Sequence, residues 1–355
     1  MVGGNKLWLR GLTAFVLCTA MVACEDEDKG DDTSSGDGDG GTGDATTGAT
    51  DPTADPSDGS TGSPPDDPNM WVVGEDGKML RWGAEDGVSE YPIDVVEDFS
   101  DIACRGLSQA WAVGDVGTFI ATVDAGSTWH DVAVGSDVDF TAVAAAHDGA
   151  IWVVGDGAAF VSPDEGQTWS TVDAPSLSWT GVATTLEGDD AWLTAGDGSL
   201  WHAVADAPAT VVFEGAEALR DVSVSADGAT VVAVGDLGTM ARSDDGGASF
   251  QRLPLDTVRA LDAVVVSGDG ELTLAVGEAG VVVRVDFDAG VTVDELADPA
   301  LTLHAVHVDA EGSGHAVGDA GIMLTTNDAG LTWTPVDLQT DAALFGIDHP
   351  GALHL

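Results

Sequence analysis

Two short features recur along this chain at a nearly fixed interval, and they limit its possible folds more than anything else in the sequence. A glycine in the form VVG, AVG or TAG occurs seven times at spacings of 39 to 42 residues. These glycines are Gly74, Gly114, Gly155, Gly196, Gly235, Gly277 and Gly318. An apolar residue that opens a strand-like segment keeps the same interval at Phe99, Phe140, Trp179, Leu219, Leu261, Leu303 and Leu344. A period near 40 residues built from short strands predicts the blades of a β-propeller.

One unit of the repeat shows four segments with the length and composition of strands. In residues 140–172, FTAVAAA comes first, and AIWVVG follows after an Asp-Gly turn. AAFVS follows a second turn, and TWSTV closes the unit after the loop PDEGQ. Asp-Gly between two apolar runs is a strong hairpin signal. Seven such units predict an all-β fold, a seven-bladed β-propeller with four antiparallel strands per blade.

The two ends of the repeat region complement each other. The first unit begins at MWVVG, residues 70–74, and has no inner strand before it. The chain ends with LFGIDHP, residues 344–350, a copy of that strand with nothing after it to complete a unit. We therefore expect the C-terminal strand to complete blade 1 and to join the two ends of the propeller.

The N-terminus carries a targeting signal. Lys6 and Arg10 precede an apolar run, residues 11–23, that is too short to span a bilayer. MVAC at residues 21–24 resembles the bacterial lipoprotein box, which implies cleavage before Cys24 and acylation of that cysteine. Residues 1–23 are then the signal peptide. A plain signal peptide with an incidental cysteine is the alternative interpretation.

Residues 24–68, after the signal, contain Asp, Gly, Ser, Thr and Pro with almost no aliphatic side chain. Such a segment buries too little apolar surface to fold, so we predict the lipidated Cys24 followed by an acidic disordered tether. The propeller then occupies residues 69–355. Once Cys18 leaves with the signal and Cys24 takes lipid, Cys104 has no partner for an intramolecular disulfide, and its apolar context predicts an inert thiol.

The net charge restricts the partners. The chain has 62 acidic and 11 basic side chains, for a net charge of −51. Such a surface repels nucleic acid and anionic lipid, so we expect no nucleic-acid partner and membrane contact through the N-terminal lipid only. It is compatible with a simple solvated acidic surface, and also with cationic partners or metal ions.

A second phrase of the repeat, S/T-x-D-x-G-x-S/T-W/F, occupies the loop between the third and fourth strands. It is complete in four units and degraded at residues 204–211 and 286–293. It resembles the Asp-box, or BNR, repeat of sialidase-type propellers. The resemblance implies that the Asp caps its own turn and that the aromatic packs between strands, a structural role. The matching residues are Asp124, Trp129, Asp164, Trp169, Asp245, Phe250, Asp328 and Trp333.

The joint pattern of VGxxG, a strand and DxGxTW over residues 70–355 resembles photosystem II stability/assembly factor-like propellers, of the WD40/YVTN/BNR-like group. Bacterial members share the lipoprotein N-terminus. The resemblance implies a propeller that assists assembly of other proteins, with an Arg-rich binding patch in members that act on photosystem subunits. Here the propeller has seven dispersed arginines, so the partner is left open.

Known catalytic sites require particular sets of residues. Sialidases, which share the Asp-box, need an arginine triad and a Tyr nucleophile. Tyr91 is the single tyrosine of this chain and belongs to a connection between blades. No G-x-S-x-G, HExxH or phosphate-binding loop occurs. We therefore predict a protein without catalysis of its own, with glycoside hydrolysis as the alternative.

Two sets of polar residues are candidate binding positions. An acid follows the glycine of each repeat and forms a candidate acidic ring, which ordinary turn chemistry also explains. The ring consists of Glu75, Asp115, Asp156, Asp197, Asp236, Glu278 and Asp319. The residue after each opening apolar residue places Arg220, Asp262 and His304 side by side near the mouth of the channel, where they are either a binding group or a self-satisfied ion pair.

These observations favour one function and leave one alternative. We predict an exported, lipid-anchored, monomeric propeller of the bacterial cell envelope, at the outer membrane more than the inner, on the periplasmic side or the cell surface. Its function is a non-catalytic protein-binding or assembly scaffold, without cofactor or metal. The alternative is a surface glycan-binding or sialidase-like glycan-cleaving protein, with glycan as its partner.

Overall fold

The computed structural model describes residues 70–350 except residues 85, 287–289, 297–299 and 310–311. The signal peptide, Cys24 and the tether lie outside the described residues. In the described part of the chain, no helical segment has the length and apolarity that a bilayer crossing requires.

The described residues form seven four-stranded antiparallel sheets, one for each sequence repeat. Blade 1 contains β1 (Met70–Gly74), β2 (Met79–Gly83) and β3 (Gly87–Glu90). Blade 2 contains β4 (Phe99–Arg105), β5 (Gln109–Gly114), β6 (Phe119–Thr122) and β7 (His130–Asp131). Blade 3 contains β8 (Phe140–Ala145), β9 (Ile151–Gly155), β10 (Ala158–Ser162) and β11 (Ser170–Thr171). Blade 4 contains β12 (Trp179–Thr184), β13 (Asp190–Ala195), β14 (Ser199–Val204) and β15 (Thr210–Glu214).

The remaining blades follow the same order from the inner to the outer strand. Blade 5 contains β16 (Leu219–Val224), β17 (Val231–Gly235), β18 (Thr239–Ser243) and β19 (Gln251–Arg252). Blade 6 contains β20 (Leu261–Val266), β21 (Leu272–Gly277), β22 (Val281–Asp286) and β23 (Gly290–Glu295). Blade 7 contains β24 (Leu303–Val308), β25 (Gly314–Gly318), β26 (Ile322–Thr326) and β27 (Thr334–Asp337). Single 3-10 turns join the second and third strands at Glu75–Gly77, Asp115–Gly117, Asp236–Gly238, Glu278–Gly280 and Asp319–Gly321.

The last strand, β28 (Leu344–Asp348), completes blade 1. It pairs antiparallel with β1, with Trp71 opposite Asp348 and Val72 opposite Ile347. The prediction of a seven-bladed propeller with four antiparallel strands per blade, in which the C-terminal strand completes blade 1, is confirmed.

The outer strands of three blades are shorter than the sequence suggests. In blade 3 the predicted strand TWSTV contributes only Ser170 and Thr171 to the sheet, opposite Val161 and Phe160. The preceding loop is held to its own turn by Asp164, which delays the start of strand pairing. Trp169 therefore lies outside the strand and packs against the core of blades 2 and 3.

The glycine that marks the repeat has a steric cause. In blade 2, a Cβ placed on Gly114 would overlap the backbone carbonyl of Asp98, the residue before the inner strand of the same blade. The same carbonyl accepts the amide hydrogen of Asp115 at 3.0 Å. Only glycine permits this approach of the second strand to the start of the first. The same overlap occurs at every repeat glycine except Gly196, where the nearest atom is the Ser178 carbonyl oxygen at 3.7 Å.

The core lies between neighbouring blades. One cluster joins Trp111 and Phe119 of blade 2 to Phe140 and Ile151 of blade 3. The largest fully buried side chains include the tryptophans Trp71, Trp111, Trp152 and Trp179. Each sheet thus buries both faces by stacking on its neighbours, which a single blade cannot do, and this stacking fixes the inner strands around the channel.

Candidate binding site at the channel mouth

A backbone irregularity repeated in every blade directs one side chain to the mouth of the channel. The pairing of each inner strand with its neighbour skips one residue, the one after the opening apolar residue. Such a bulge leaves its extra residue unpaired and re-aims its side chain. The skipped residues are Ser100, Thr141, Thr180, Arg220, Asp262, His304 and Phe345.

All seven of these side chains line one cavity, which we call the mouth, together with Asp98 and Asp115. Its volume is about 440 Å³. The face of the propeller that carries it also carries the turns between second and third strands, and we call it the mouth face. A concave site with several converging polar groups is the usual form of a ligand or peptide site.

The structure brings Arg220, Asp262 and His304 into contact within the mouth. The Arg220 Nη1 atom lies 2.6 Å from Asp262 Oδ1. The His304 Nδ1 atom lies 3.6 Å from Asp262 Oδ2. The ring of Phe345 lies 5.2 Å from that of His304, centroid to centroid. The three blades therefore share one polar group with an aromatic edge.

Two members of the acidic ring extend this group. Arg220 Nε lies 2.7 Å from Asp236 Oδ1, and His304 Nε2 lies 2.8 Å from Asp319 Oδ1. Burial disfavours the charged imidazolium of His304, but the bonds to Asp262 and Asp319 outweigh it and raise the pKa of His304. Burial opposes ionisation of Asp319, yet the bond to His304 and the Thr302 amide lower its pKa. The group is a connected line of alternating acidic and basic side chains, Asp236–Arg220–Asp262–His304–Asp319.

The remaining ring acids divide into two kinds. Glu75 and Glu278 accept backbone amide hydrogens from Ala343 and Ala260, and Asp197 accepts the amide hydrogen of Ser199 at 3.0 Å. Asp197 bonds within its own turn, as turn chemistry predicts, whereas Glu75 and Glu278 each bond the residue that precedes the inner strand of their blade. The other two ring acids are Asp115 and Asp156. Their carboxylates accept no hydrogen bond from any described residue.

Sequence reasoning missed a second layer of carboxylates inside the channel. Asp101 accepts the amide hydrogen of Val143 at 2.9 Å. Asp221 accepts the amide hydrogen of Val264 at 2.8 Å. In both cases the donor lies on the inner strand of the next blade. Burial raises the pKa of Asp101 to about 8 and that of Asp221 to about 7. An Asp inside an apolar inner strand, as in FSDIAC and LRDVSV, is the signal that would have found them.

Asp348 extends this layer to the ends of the chain. Its Oδ2 atom accepts the amide hydrogen of Cys104 at 2.6 Å, and so connects the last strand to blade 2. Burial, followed by the charge of Asp348, raises the pKa of the Cys104 thiol well above its usual value. The thiol therefore stays protonated, which agrees with the expectation of an inert cysteine.

The four loops S/T-x-D-x-G-x-S/T-W/F, which we call the rim loops, lie on the face opposite the mouth face. In blade 2, Asp124 accepts the amide hydrogen of Thr128 at 2.8 Å and its hydroxyl hydrogen at 2.7 Å. Asp164, Asp245 and Asp328 make the equivalent pairs of bonds. These bonds lower the pKa of all four carboxyls, that of Asp328 to about 2.

The aromatic residues of the rim loops pack against the protein body. Trp129 stacks edge to face with Trp71 at 5.4 Å, and Phe250 lies 6.0 Å from Phe213. Trp169 and Trp333 donate their indole hydrogens to the carbonyls of Gly166 and Gly330. The aromatic rings of the motif are thus packed on the protein body, although the buried indole nitrogen of Trp129 has no hydrogen-bond partner among the described residues.

Tyr91 is partly buried and packs edge to face on Trp71, with 4.9 Å between ring centroids, against the core between blades 1 and 2. It does not line the mouth. Among the described residues, no group of three His, Cys, Asp or Glu side chains is arranged to hold a metal ion.

Fold and site together define a seven-bladed propeller with a polar channel mouth. No protein-family model matches the sequence, and no curated protein matches it significantly. Solved structures share the fold. A structure described as YCF48 bound to D1 peptide has 20% identity and a TM-score of 0.54, over 67% of this chain and 80% of that chain. YCF48 from Cyanidioschyzon merolae has 17% identity and a TM-score of 0.57, over 71% of this chain and 88% of that chain.

Proposed function

We propose that this protein is a non-catalytic protein-binding scaffold that takes its partner at the channel mouth. The observation that carries the proposal is the convergence of seven bulge side chains on one cavity, where Arg220, Asp262 and His304 form a connected group beside Phe345. Mixed charge around an aromatic ring suits a peptide segment, whose backbone and side chains offer donors, acceptors and apolar surface.

The fold comparisons support a peptide segment as the part of the partner protein that binds at the mouth. One solved structure of the same fold is described as YCF48 bound to D1 peptide. The sequence resemblance to photosystem II stability/assembly factor-like propellers points in the same direction. A scaffold of this kind needs no photosystem subunit as its partner, and the dispersed arginines here do not form the Arg-rich patch of that family.

The chemistry of the mouth favours binding over catalysis. Asp262 and Asp236 both pair with Arg220, and Asp319 pairs with His304, so each of these carboxylates is already held by a neighbouring side chain. Tyr91, the single tyrosine and so the one candidate for a sialidase-type nucleophile, packs against the core between blades 1 and 2 and does not line the mouth. We propose that the rim loops are Asp-box repeats with a structural role, since the carboxylate of each motif Asp is engaged within its own loop.

We further propose that the protein is exported and held in the bacterial cell envelope by lipid on Cys24. The support is the sequence MVAC at residues 21–24, followed by a long acidic segment before the propeller. Acyl chains on the N-terminal cysteine would give stable membrane attachment and would leave the propeller at the end of a tether. Metabolic labelling with a fatty acid tests this, and a Cys24→Ala variant should lose the label.

The functional test is affinity capture from native membranes with the intact lipoprotein and two triple-alanine variants. The first changes Arg220, Asp262 and His304. The matched control also removes one Arg, one Asp and one His, in ion pairs away from the mouth, namely Arg242, Asp244 and His202. Thermal unfolding of each protein shows that all three are folded.

A partner retained by the intact protein and the control but lost by the mouth variant supports the proposal. Equal capture by all three places binding elsewhere on the surface. If the intact protein captures no protein, the scaffold is excluded as its function in those membranes. Binding in a glycan array would then favour the glycan-binding alternative.

A further inference from the structure

Histidine side chains concentrate where blade 7 meets blade 1, the blade that contains both ends of the propeller region. Of the eight histidines of the chain, four have ring contacts across this interface. Three lie on blade 7, and the fourth follows β28 in blade 1. The four are His304, His307, His315 and His349. We call this contact the closing interface, because the C-terminal strand completes the propeller there.

Three of these side chains form a cluster that does not line the mouth, and we call it the histidine cluster. His307 and His315 are opposite each other on β24 and β25 of blade 7. The His307 ring stacks on that of His349, with 6.0 Å between centroids and 21° between planes. The His315 ring lies 5.2 Å from that of Trp82, on β2 of blade 1. The cluster therefore joins the two blades at two places.

The surroundings of His315 suit its neutral form. Its Nδ1 atom is buried and has no hydrogen-bond partner among the described residues. The imidazolium carries a proton on both ring nitrogens, so protonation would leave a buried donor without an acceptor. Burial, followed by the charges of His307 and His349, lowers the pKa of His315 to about 3. Both the missing acceptor and the neighbouring charges therefore oppose the charged ring.

The groups packed around His307 include one carboxylate. The Oδ1 atom of Asp348, on β28, lies 3.3 Å from His307 Nδ1. Blade 2 approaches the same carboxylate with Asp101 and Cys104. The raised pKa values of these two groups keep both uncharged in mild acid. A proton on His307 therefore has Asp348 as its counter-charge.

Among the described residues, His315 has no such counter-charge. Asp309 shares a cavity of about 340 Å³ with it, but no carboxylate raises its pKa. At the mouth end of the same interface the balance is reversed. Burial opposes the charge of His304 there, but bonds to Asp262 and Asp319 outweigh it and raise the pKa. The closing interface thus favours a charged imidazole at the mouth and resists one in the histidine cluster.

We propose that mild acid opens the closing interface at the histidine cluster, so that β28 detaches from β1 in a larger fraction of molecules. Detachment withdraws His349 from His307 and lets water reach His315 through the cavity beside it. In water an imidazole takes a proton near its ordinary pKa. Protons therefore bind the open form more strongly than the closed form and shift the equilibrium toward it. The proposal does not depend on the scaffold function.

The direction and size of the effect follow from the pKa of His315. Its value falls on folding from 6.5 to about 3, so its contribution to closure is complete above pH 6.5 and is lost as the pH falls toward 3. Between pH 7.5 and pH 5.0 the open fraction should rise about thirtyfold. Global unfolding changes in the opposite direction, because the raised pKa values of Asp101 and Asp221 stabilise the whole propeller in acid.

Hydrogen–deuterium exchange of the full-length protein, read by mass spectrometry at pH 7.5 and pH 5.0, tests the proposal. After correction for the intrinsic exchange rate, the amides of β28 should lose protection about thirtyfold at pH 5.0. The amides of β12 and β13 in blade 4 report global opening and should keep their protection. Equal protection of β28 at the two pH values would overturn the proposal, and so would an equal loss in both blades.

Two variants separate His315 from the other titrating groups. His315→Phe keeps an aromatic ring against Trp82 but takes no proton, so β28 should be equally protected at both pH values. His202→Phe is the matched control, because the His202 ring also lies 5.2 Å from a tryptophan ring, that of Trp192, but within blade 4. It should lose protection of β28 in acid as the unchanged protein does. The same acid response in His315→Phe would show that the cluster does not control the interface.

NMR titration of the unchanged protein gives a test that does not require any variant to fold. The His315 ring should titrate well below its ordinary value of 6.5, because the closed interface resists the proton. A midpoint at or above 6.5 would show that the closed form accepts the proton as readily as the open form. Acid would then have no reason to favour opening, and the proposal would be wrong.

Discussion

The carboxylate of Asp101 accepts the amide hydrogen of Val143, on the inner strand of the next blade, at a distance of 2.9 Å. Strand pairing joins residues within a blade, so a bond of this kind links elements that the sheets do not connect. Asp221 and Val264 repeat the relationship between blades 5 and 6 at 2.8 Å. The inner wall of the propeller is therefore held in part by carboxyl groups with raised pKa values.

From the raised pKa values of these two carboxyls we predict that the propeller loses stability as the pH rises from about 4 to 8. Their pKa values rise on folding from 3.8 to about 8 for Asp101 and about 7 for Asp221, so the folded state holds protons that the unfolded state releases. We expect the midpoint of thermal unfolding to fall by roughly 5 to 10 °C between pH 5 and pH 8.5. Circular dichroism over a pH series measures this.

The double variant Asp101→Asn/Asp221→Asn is the control for that prediction. It loses hydrogen-bond strength at every pH, but its midpoint should change less with pH than that of the unchanged protein. The carboxyls of the rim loops, with lowered pKa values, lose their contribution only under more acidic conditions and do not act in this window. If the midpoint of thermal unfolding changed equally with pH in the two proteins, Asp101 and Asp221 would not be the cause of the pH dependence.

A second prediction concerns closure of the propeller. Truncation after Asp341 removes β28, which supplies the inner strand of blade 1 and the bond from Asp348 to Cys104. The apolar faces around Leu344 and Ile347 then lose their cover. We expect the truncated protein to lose its sharp thermal transition and to aggregate in size-exclusion chromatography. Truncation after Pro350 keeps the whole strand and should leave both properties intact.

A third prediction tests the rim loops. Asp164→Ala removes the acceptor for the amide and hydroxyl of Thr168, leaving both donors to solvent. We expect the unfolding temperature to fall by a few degrees while partner capture is unchanged. Asp206 holds the equivalent position in the degraded copy of blade 4 and has no such bonds, so Asp206→Ala is the matched control. A loss of capture with unchanged stability would instead make the rim loop a binding element.

Much of the fold could be predicted because its causes are local. The repeat glycine is required by a backbone contact within one blade, as at Gly114, and such a requirement leaves a periodic trace in the sequence. The first unit lacks an inner strand and the last segment of the repeat region, residues 344–350, is an inner strand without a unit, so the sequence also predicts closure of the propeller. The seven-bladed architecture follows from these features without knowledge of any distance.

The place of the candidate mouth residues in the fold could be predicted from the sequence, but their ion pairs could not. The alignment of the repeats places Arg220, Asp262 and His304 at equivalent positions, and the bulges bring them to one cavity. Whether an Asp is paired or faces like charges depends on which side chains the fold brings beside it. Asp236 meets Arg220, 16 residues away in the same blade, whereas Asp115 meets the charges of Asp139 and Asp98. The channel carboxylates were missed for a related reason, because Asp101 acts on a strand 42 residues away.

The last prediction concerns the charge of His304. Bonds to Asp262 and Asp319 raise its pKa against the effect of burial, so the imidazole should titrate above its ordinary value of 6.5. A His whose pKa is raised on folding stabilises the folded state fully below pH 6.5, and this contribution is lost as the pH rises through the folded pKa. NMR titration of the His304 ring should give a midpoint above 6.5. In Asp262→Asn the midpoint should fall, because one of the two anionic partners is gone. A midpoint at or below 6.5 in the unchanged protein would show that burial dominates and that the charge chain across the mouth is broken at His304.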